Sequence, residues 1–251
     1  MRIAVIPDTQ VKPGVNNLYL YKIGMYLVDK KPDVIVHLGD HWDMPSLSSY
    51  DIGKKSFEGR RYKKDIEAGN DGMAALLSPI KTYNHRAIAN HKPRYKPEMH
   101  FLMGNHENRI NRAVDNDAKL EGTIGTQDLY LNDWKVHKFL EVLIINGVAF
   151  SHYFVTGTAG RPASTANAQL NKKHQSCIAG HQQGLQIATA HRADGQRLTS
   201  VIAGSCYEHD EDYLGAQGNK HWRGFLMLHE VNEGQFDLMP VSLDYLNNKY
   251  K

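Results

Sequence analysis

Only two cysteines occur in the 251 residues, Cys177 and Cys206, each inside an apolar stretch (SCIAG and IAGSCY). That scarcity excludes a disulfide framework and a cysteine-based zinc site, and leaves buried free thiols in a reducing cytoplasm as the expectation. No apolar run approaches the roughly 18 residues of a membrane-spanning helix, so no membrane is expected. The opening MRIAVIPDTQ lacks the charged start, long apolar stretch and small-residue cleavage site of a secretory leader. Charge of one sign is also scarce. Lys and Arg number 30 against 27 Asp and Glu, and the resulting +3 suits an anionic substrate without demanding nucleic acid. Internal repeats, low-complexity tracts and a clear linker are missing too, and a single domain over 1–251 is the expectation.

Short apolar runs that end in polar residues are what the chain does have. Arg2–Pro7 reads as a strand, Leu18–Asp29 as a helix and Asp33–Leu38 as a second strand, the spacing of a βαβ unit with parallel strands. Met44–Pro97 reads as a polar, basic insert, helical over about Arg60–Ala89, with Pro79 a possible break. Met99–Met103 is a third strand. Asp8, Asp40 and the cluster Asn105-His106-Glu107 each follow such a strand, and ligands of open α/β sheets collect at that edge. The second half is strand-rich: Lys135–Leu140, Val142–Ile145, Val148–His152, Ser176–Ala179, Leu185–Ala190, Leu198–Ala203, Gly224–Val231 and Gln235–Pro240. Two packed sheets with helices outside follow from that order.

Hydrolysis of a phosphate ester needs a nucleophilic water, neutralised phosphoryl oxygens and help for the leaving oxygen, and a pair of metal ions supplies the first two. Asp8-Thr9-Gln10, Gly39-Asp40-His41-Trp42-Asp43, Gly104-Asn105-His106-Glu107, Ser151-His152 and Gly180-His181-Gln182-Gln183 resemble, in order, the five blocks of the calcineurin-like metallophosphoesterases. Those blocks are D-x-H, G-D-x-x-D, G-N-H-[DE], a lone H after a strand, and G-H-x-H. The resemblance implies a four-layer αββα sandwich, an α/β (α+β) fold of two mixed sheets with flanking helices and an active site at strand C-terminal ends. It implies two divalent metal ions, Mn²⁺ foremost, with Mg²⁺, Zn²⁺, Fe²⁺ or Ni²⁺ as alternatives. Asp40 would bridge them, and Asn105, His152 and His181 would complete one site. His106 would face the leaving group without binding metal, Asp43 would orient it, and Arg109 would reach phosphate oxygens.

The sequence departs from the family where the other metal would sit, because Gln10 and Gln183 replace two imidazoles beside Asp8. Amide oxygens favour hard ions such as Mn²⁺ or Mg²⁺ over Zn²⁺. Three readings stay open: a weak oxygen-rich site, rescue by His41 or His209, and a one-metal or inactive relative.

Between Lys54 and Lys64 the chain carries Lys54, Lys55, Arg60, Arg61, Lys63 and Lys64, with Tyr50, Phe57 and Tyr62 beside or among them. Cations beside aromatics suit a sugar-phosphate backbone with stackable bases, and equally an exposed helix entrance. Lys54, Lys55, Arg60 and Arg61 are the substrate-binding candidates, for DNA, RNA or a nucleotide. The expected activity is phosphodiester hydrolysis. A phosphomonoesterase of small metabolites and a non-catalytic phosphate- or partner-binding relative are the alternatives. Oligomeric state is not legible in the sequence.

Overall fold

The computed structural model describes all residues from Met1 to Lys251. Strand β1 (Ile3–Ile6) leads through helix α1 (Leu18–Lys30) to β2 (Val34–His37), and β1 and β2 pair in parallel from Ile3 against Val34. Helix α2 (Tyr62–Ala89) and β3 (Glu98–Leu102) follow, with β3 parallel to β2. Then come α3 (Asn108–Asn116), β4 (Lys135–His137), β5 (Leu143–Ile145), β6 (Val148–Ser151), α4 (Ala166–Lys173), β7 (Cys177–Ala179), β8 (Leu185–His191) and β9 (Arg197–Ala203). The short α5 (Gly215–Gly218), β10 (Gly224–Asn232), β11 (Gln235–Ser242) and α6 (Leu243–Lys249) close the order.

Two mixed sheets result, β11-β10-β1-β2-β3-β4 and β5-β6-β7-β9-β8. The two halves of the sequence interleave, because β4, β10 and β11 complete the sheet begun by β1. β10 pairs antiparallel with β1 and so covers what would otherwise be an open edge.

Alternation along β1 shows why the layers form. Ile3 and Val5 point between the sheets, into a cluster with Val34, Val36, Phe150 and Val201. Ala4 and Ile6 point the other way, against Tyr19, Leu20, Ile23 and Leu76 of α1 and α2. A smaller cluster, Ala149, Phe154, Cys177 and Ala179, lies on the far side of the second sheet, and α4 lies along that sheet. The layers are therefore helix, sheet, sheet, helix. Both cysteines are buried and unpaired, and no helix is long and apolar enough to cross a membrane.

Pro79 does not break α2, which runs unbroken from Tyr62 to Ala89 and starts two residues later than its composition suggests. Helices α4 and α6 are not legible in the sequence, being short and lacking a broad apolar stripe. Hydroxyl caps open them, with Thr165 accepting from the Ala168 amide and Ser242 from the Tyr245 amide.

Candidate active site

The parallel strands β1, β2 and β3 deliver Asp8, Asp40 and Asn105 to one edge, and β6 and β7 of the other sheet bring His152 and His181 to the same place. The loops after β1 and β2 stay joined past the strand ends. The amides of Thr9 and Gln10 donate to the Asp40 carbonyl at 3.2 and 2.9 Å, and Val11 donates to His41 at 2.7 Å.

Gly104 is required by packing, since a Cβ there would stand 2.1 Å from Asp40 Oδ1. Several side-chain-bearing residues around the site adopt left-handed backbone: Gln10 (φ 40°), Asp40 (49°), Met44 (49°) and His181 (66°). Strain of this kind, of order 1–3 kcal/mol per residue, persists where surroundings over-determine it. The buried Glu107 is one such determinant. It accepts the amides of Asp40 and Gly104 through Oε2 at 2.9 Å each, and those of His41 and Trp42 through Oε1 at 2.6 and 3.0 Å.

Asn105 Oδ1 lies 2.8 Å from His152 Nε2 and 2.7 Å from His181 Nδ1. Asp40 Oδ2 is 3.4 Å from the same His152 nitrogen, and the donor atoms of Asp40, His152 and His181 all fall within 4.8 Å of one another. His152 Nδ1 donates to the Leu38 carbonyl at 2.7 Å, which turns Nε2 inward. Burial alone would depress His152, but the charge and contact of Asp40, the Asp8 charge and the Leu38 carbonyl together outweigh it and lift the imidazole to about 9. His181, desolvated and beside His152, falls to about 4. Asp40 is buried, yet His106 and His152 hold it well below the usual carboxylate range. Two carboxyl or amide oxygens and two imidazoles converging on one point fit a divalent cation.

The second position, beside Asp8, also fits. Asp8 Oδ1 accepts the His181 amide at 3.0 Å, whereas Asp8 Oδ2 and Gln10 Oε1 are both buried without a partner. Unpartnered buried acceptors are rare and suit a cation. Burial and the neighbouring Asp40 charge push Asp8 up to about 7. Gln183 turns Oε1 to the Tyr207 hydroxyl at 2.8 Å. Neither rescue histidine joins this position. His41 bonds Thr9 Oγ1 at 2.7 Å and the Gly69 carbonyl at 2.9 Å, and His209 points Nε2 at Glu211, 2.7 Å away.

His106 stands outside the convergence point. Its Nδ1 forms an ion pair with Asp43 Oδ1 at 2.8 Å, off the line of a hydrogen bond, and its Nε2 is 3.7 Å from Asp40 Oδ2. Burial disfavours its charged form, but the two carboxylates prevail and raise its pKa. Arg109 spans the Asp43 and Met44 carbonyls with Nη1, at 2.7 and 3.2 Å, and sets Nη2 3.1 Å from His106 Nε2. It buttresses His106 as well as lending charge.

A cleft of about 1260 Å³ opens over these groups, and Lys54, Arg60, Arg61 and Lys64 line it. Lys55, expected with them, lies off this wall and is exposed. Asp51 pairs with both Lys54 (2.9 Å) and Arg60 (2.8 Å), so part of this charge is already neutralised. Sequence reasoning missed the other wall, where Lys12 bonds Glu211 at 2.7 Å and Tyr213 faces Gln10.

No protein-family model matches the chain. The Gene 54 proteins of Mycobacterium phages L5 and D29 are 32% and 30% identical to it over 108 residues, 43% of this chain and 36% of theirs. The match thus takes in little more than a third of these curated relatives. Among solved structures, the chain is similar to YfcE, a phosphoesterase from E. coli, at 13% identity and a TM-score of 0.39 over 97% of this chain and 100% of that one. It is similar to Chaetomium thermophilum Vps29 at 11% identity and a TM-score of 0.41, over 96% and 97% of the two chains. A Streptococcus pneumoniae protein described as a predicted phosphoesterase gives 10% and 0.35 over 96% and 97%. At such scores these likenesses lend no weight to a function, which rests instead on the geometry of the site itself.

Proposed function

We propose that this protein is a metal-dependent phosphoesterase acting on phosphodiesters of nucleic acids or nucleotides. The observation that carries it is the approach of Asn105 Oδ1 to two imidazole nitrogens, 2.8 and 2.7 Å away, beside the Asp40 carboxylate.

Asp40, Asn105, His152 and His181 would hold one divalent ion, and Asp8, Asp40 and Gln10 a second, which Gln183 would join only by sharing the oxygen that now accepts from Tyr207. When bound, such ions supply an activated water and offset the phosphoryl charge. Asp40 belongs to both sets, being central and ionised. At the second position the donors are all oxygens, which favours Mn²⁺ or Mg²⁺.

His106 is free of both sets and carries a proton held by Asp43 and Asp40. It is placed to give that proton to a departing oxygen, as a general acid. Asp43 holds its ring through Nδ1, and Arg109 is placed to donate to Nε2 once that nitrogen has lost its proton. Arg61 and Lys64, cleft cations that no carboxylate pairs, support a substrate with further phosphates beyond the scissile one, which favours a diester within a nucleotide chain over a small monoester.

The test is hydrolysis of bis-p-nitrophenyl phosphate, p-nitrophenyl phosphate and single- and double-stranded DNA by metal-stripped protein resupplied with Mn²⁺, Mg²⁺, Zn²⁺ or Ni²⁺. Metal-dependent diester cleavage lost in Asp40→Asn and His106→Ala is the expected result. A preference for the monoester would overturn the substrate reading. No turnover with any metal would overturn the enzyme.

A further inference from the structure

Two hollows meet at the cation-binding cluster. One is the larger cleft, where Lys54, Arg60, Arg61 and Lys64 stand among carboxylates, and the other is a smaller space of about 510 Å³; Tyr50, Asn105, Arg109 and His181 line both. The smaller one differs in chemistry. Phe139 and Tyr153 form an aromatic wall, edge to face with centroids 5.7 Å apart, and the Tyr153 ring is 4.8 Å from that of His181. Ring surface therefore runs outward from an imidazole that would bind metal.

Tyr50, on the edge shared by the hollows, is 80% exposed, and Ile52, which lines the smaller hollow with it, 72%, so the rim carries an apolar patch rather than a lone ring. Helix α3 lays Asn108, Arg112 and Asn116 along the same space. Their spacing of four residues puts all three on one helical face. No carboxylate lines the space, whereas the larger cleft holds several.

We infer that this smaller hollow is a subsite for an unpaired nucleobase of a single-stranded nucleic acid whose scissile phosphate lies at the cluster. The inference rests on the phosphoesterase reading of that cluster and adds which part of the substrate each hollow takes. Aromatic rings accept the face of any base, while amide and guanidinium groups reach its polar edge. Phosphates of the same strand then run along Lys54, Arg60, Arg61 and Lys64. A base stacked within a duplex presents neither face and enters only if extruded, so paired strands are poor ligands. The volume falls within the range of about 300–1,000 Å³ usual for small-ligand sites.

The test is fluorescence anisotropy of dye-labelled strands titrated with the full chain in EDTA, where metal-dependent turnover is off. A thymidine strand, a uridine ribo-strand, an abasic strand of equal length and a blunt duplex are compared. At least one base-bearing strand binds about tenfold tighter than the abasic strand, the stacking of one base being sufficient for that. The better of the two tells DNA from RNA. Tyr50→Ala and Arg112→Ala, both at exposed positions, each reduce that ratio several-fold, and Tyr50→Phe restores it. Equal binding of abasic and base-bearing strands, a ratio unmoved in both variants, or a duplex bound as tightly as a single strand would overturn the subsite. Wild-type hydrolysis of bis-p-nitrophenyl phosphate is run in parallel. Base preference without turnover removes the enzyme and keeps the subsite, and turnover without base preference does the reverse.

Discussion

Glu107 binds the amide of Asp40 at 2.9 Å, so a carboxylate that touches no proposed ion fixes the backbone of the residue central to both. The same carboxylate takes the amides of His41, Trp42 and Gly104, tying the loop after β2 to the loop after β3. Replacing it by Gln substitutes an NH₂ group for one acceptor and sets it against backbone N–H donors. Glu107→Gln is expected to cost about 3 kcal/mol of stability, the scale of lost hydrogen bonds to a buried charged group. Urea unfolding measures it, and a loss under about 0.5 kcal/mol, the range of an ordinary surface change, would show that the loops hold without it.

His106 lies beside the cation cluster without contributing to it. His106→Ala should lower diester turnover by about 10²–10⁴-fold, the usual contribution of a positioned proton donor. Metal affinity, read by isothermal titration, should stay within a few-fold of wild type. A parallel collapse of metal binding would instead make His106 a ligand.

Protons and cations compete at the cluster. His152 titrates near 9 in the folded metal-free protein against 6.5 unperturbed, so its stabilisation is complete below 6.5 and is lost as pH rises through 9. Asp8, raised to about 7, acts in the same direction from 3.8 upward. A bound ion needs both groups deprotonated. The metal-free protein thus loses stability through Asp8 between about pH 3.8 and 7 and through His152 between about 6.5 and 9, while the rise in melting temperature on adding Mn²⁺ grows over the same range. Thermal scans with and without Mn²⁺ at three pH values check this, and a metal-induced gain that shrinks with pH contradicts it.

Gln10 marks the departure from an imidazole at the second position. Gln10→His should restore a nitrogen donor beside Asp8 Oδ2 and strengthen Zn²⁺ binding relative to Mn²⁺ by at least about tenfold. Competition titration decides. An unchanged ratio would mean that the Gln10 side chain does not face an ion.

Gly104 leaves room for Asp40 Oδ1. Gly104→Ala places a methyl 2.1 Å from that oxygen and 2.4 Å from the Asp40 amide nitrogen, so the carboxylate and the loop backbone that carries it must both move. Metal affinity should fall by at least about tenfold, because Asp40 is displaced, and part of the cost should appear as lost stability. Circular dichroism with metal titration separates the two.

Local signals made the strand ends legible. Apolar runs of four or five residues followed by Asp8, Asp40 or Asn105 reveal both the strand and what it presents, and the parallel pairing of β1, β2 and β3 follows from the intervening helices. Long-range partners were not legible. Nothing in the periodicity of Gly224–Asn232 says that it pairs with β1 more than two hundred residues earlier. Glu107 was visible only as the fourth letter of a motif, and its four amide partners come from two loops that meet in space alone. Arg109 was legible as a cation near the site but not as a brace for His106, since its carbonyl partners at Asp43 and Met44 lie 66 and 65 positions away. Lys55 shows the converse error, because charge in a segment does not say which way each side chain turns.

The placement of β1 between β2 and β10 has a consequence for how the protein is made. A chain emerging from the ribosome displays Asp8 and Asp40 well before His181 and the β10 partner of β1, which follow more than a hundred residues later. Until then the central strand keeps one bare edge and the cation cluster is short of a donor. Metal capture therefore waits for His181, and a nascent fragment ending before Gly224 would be an aggregation hazard rather than a partial enzyme.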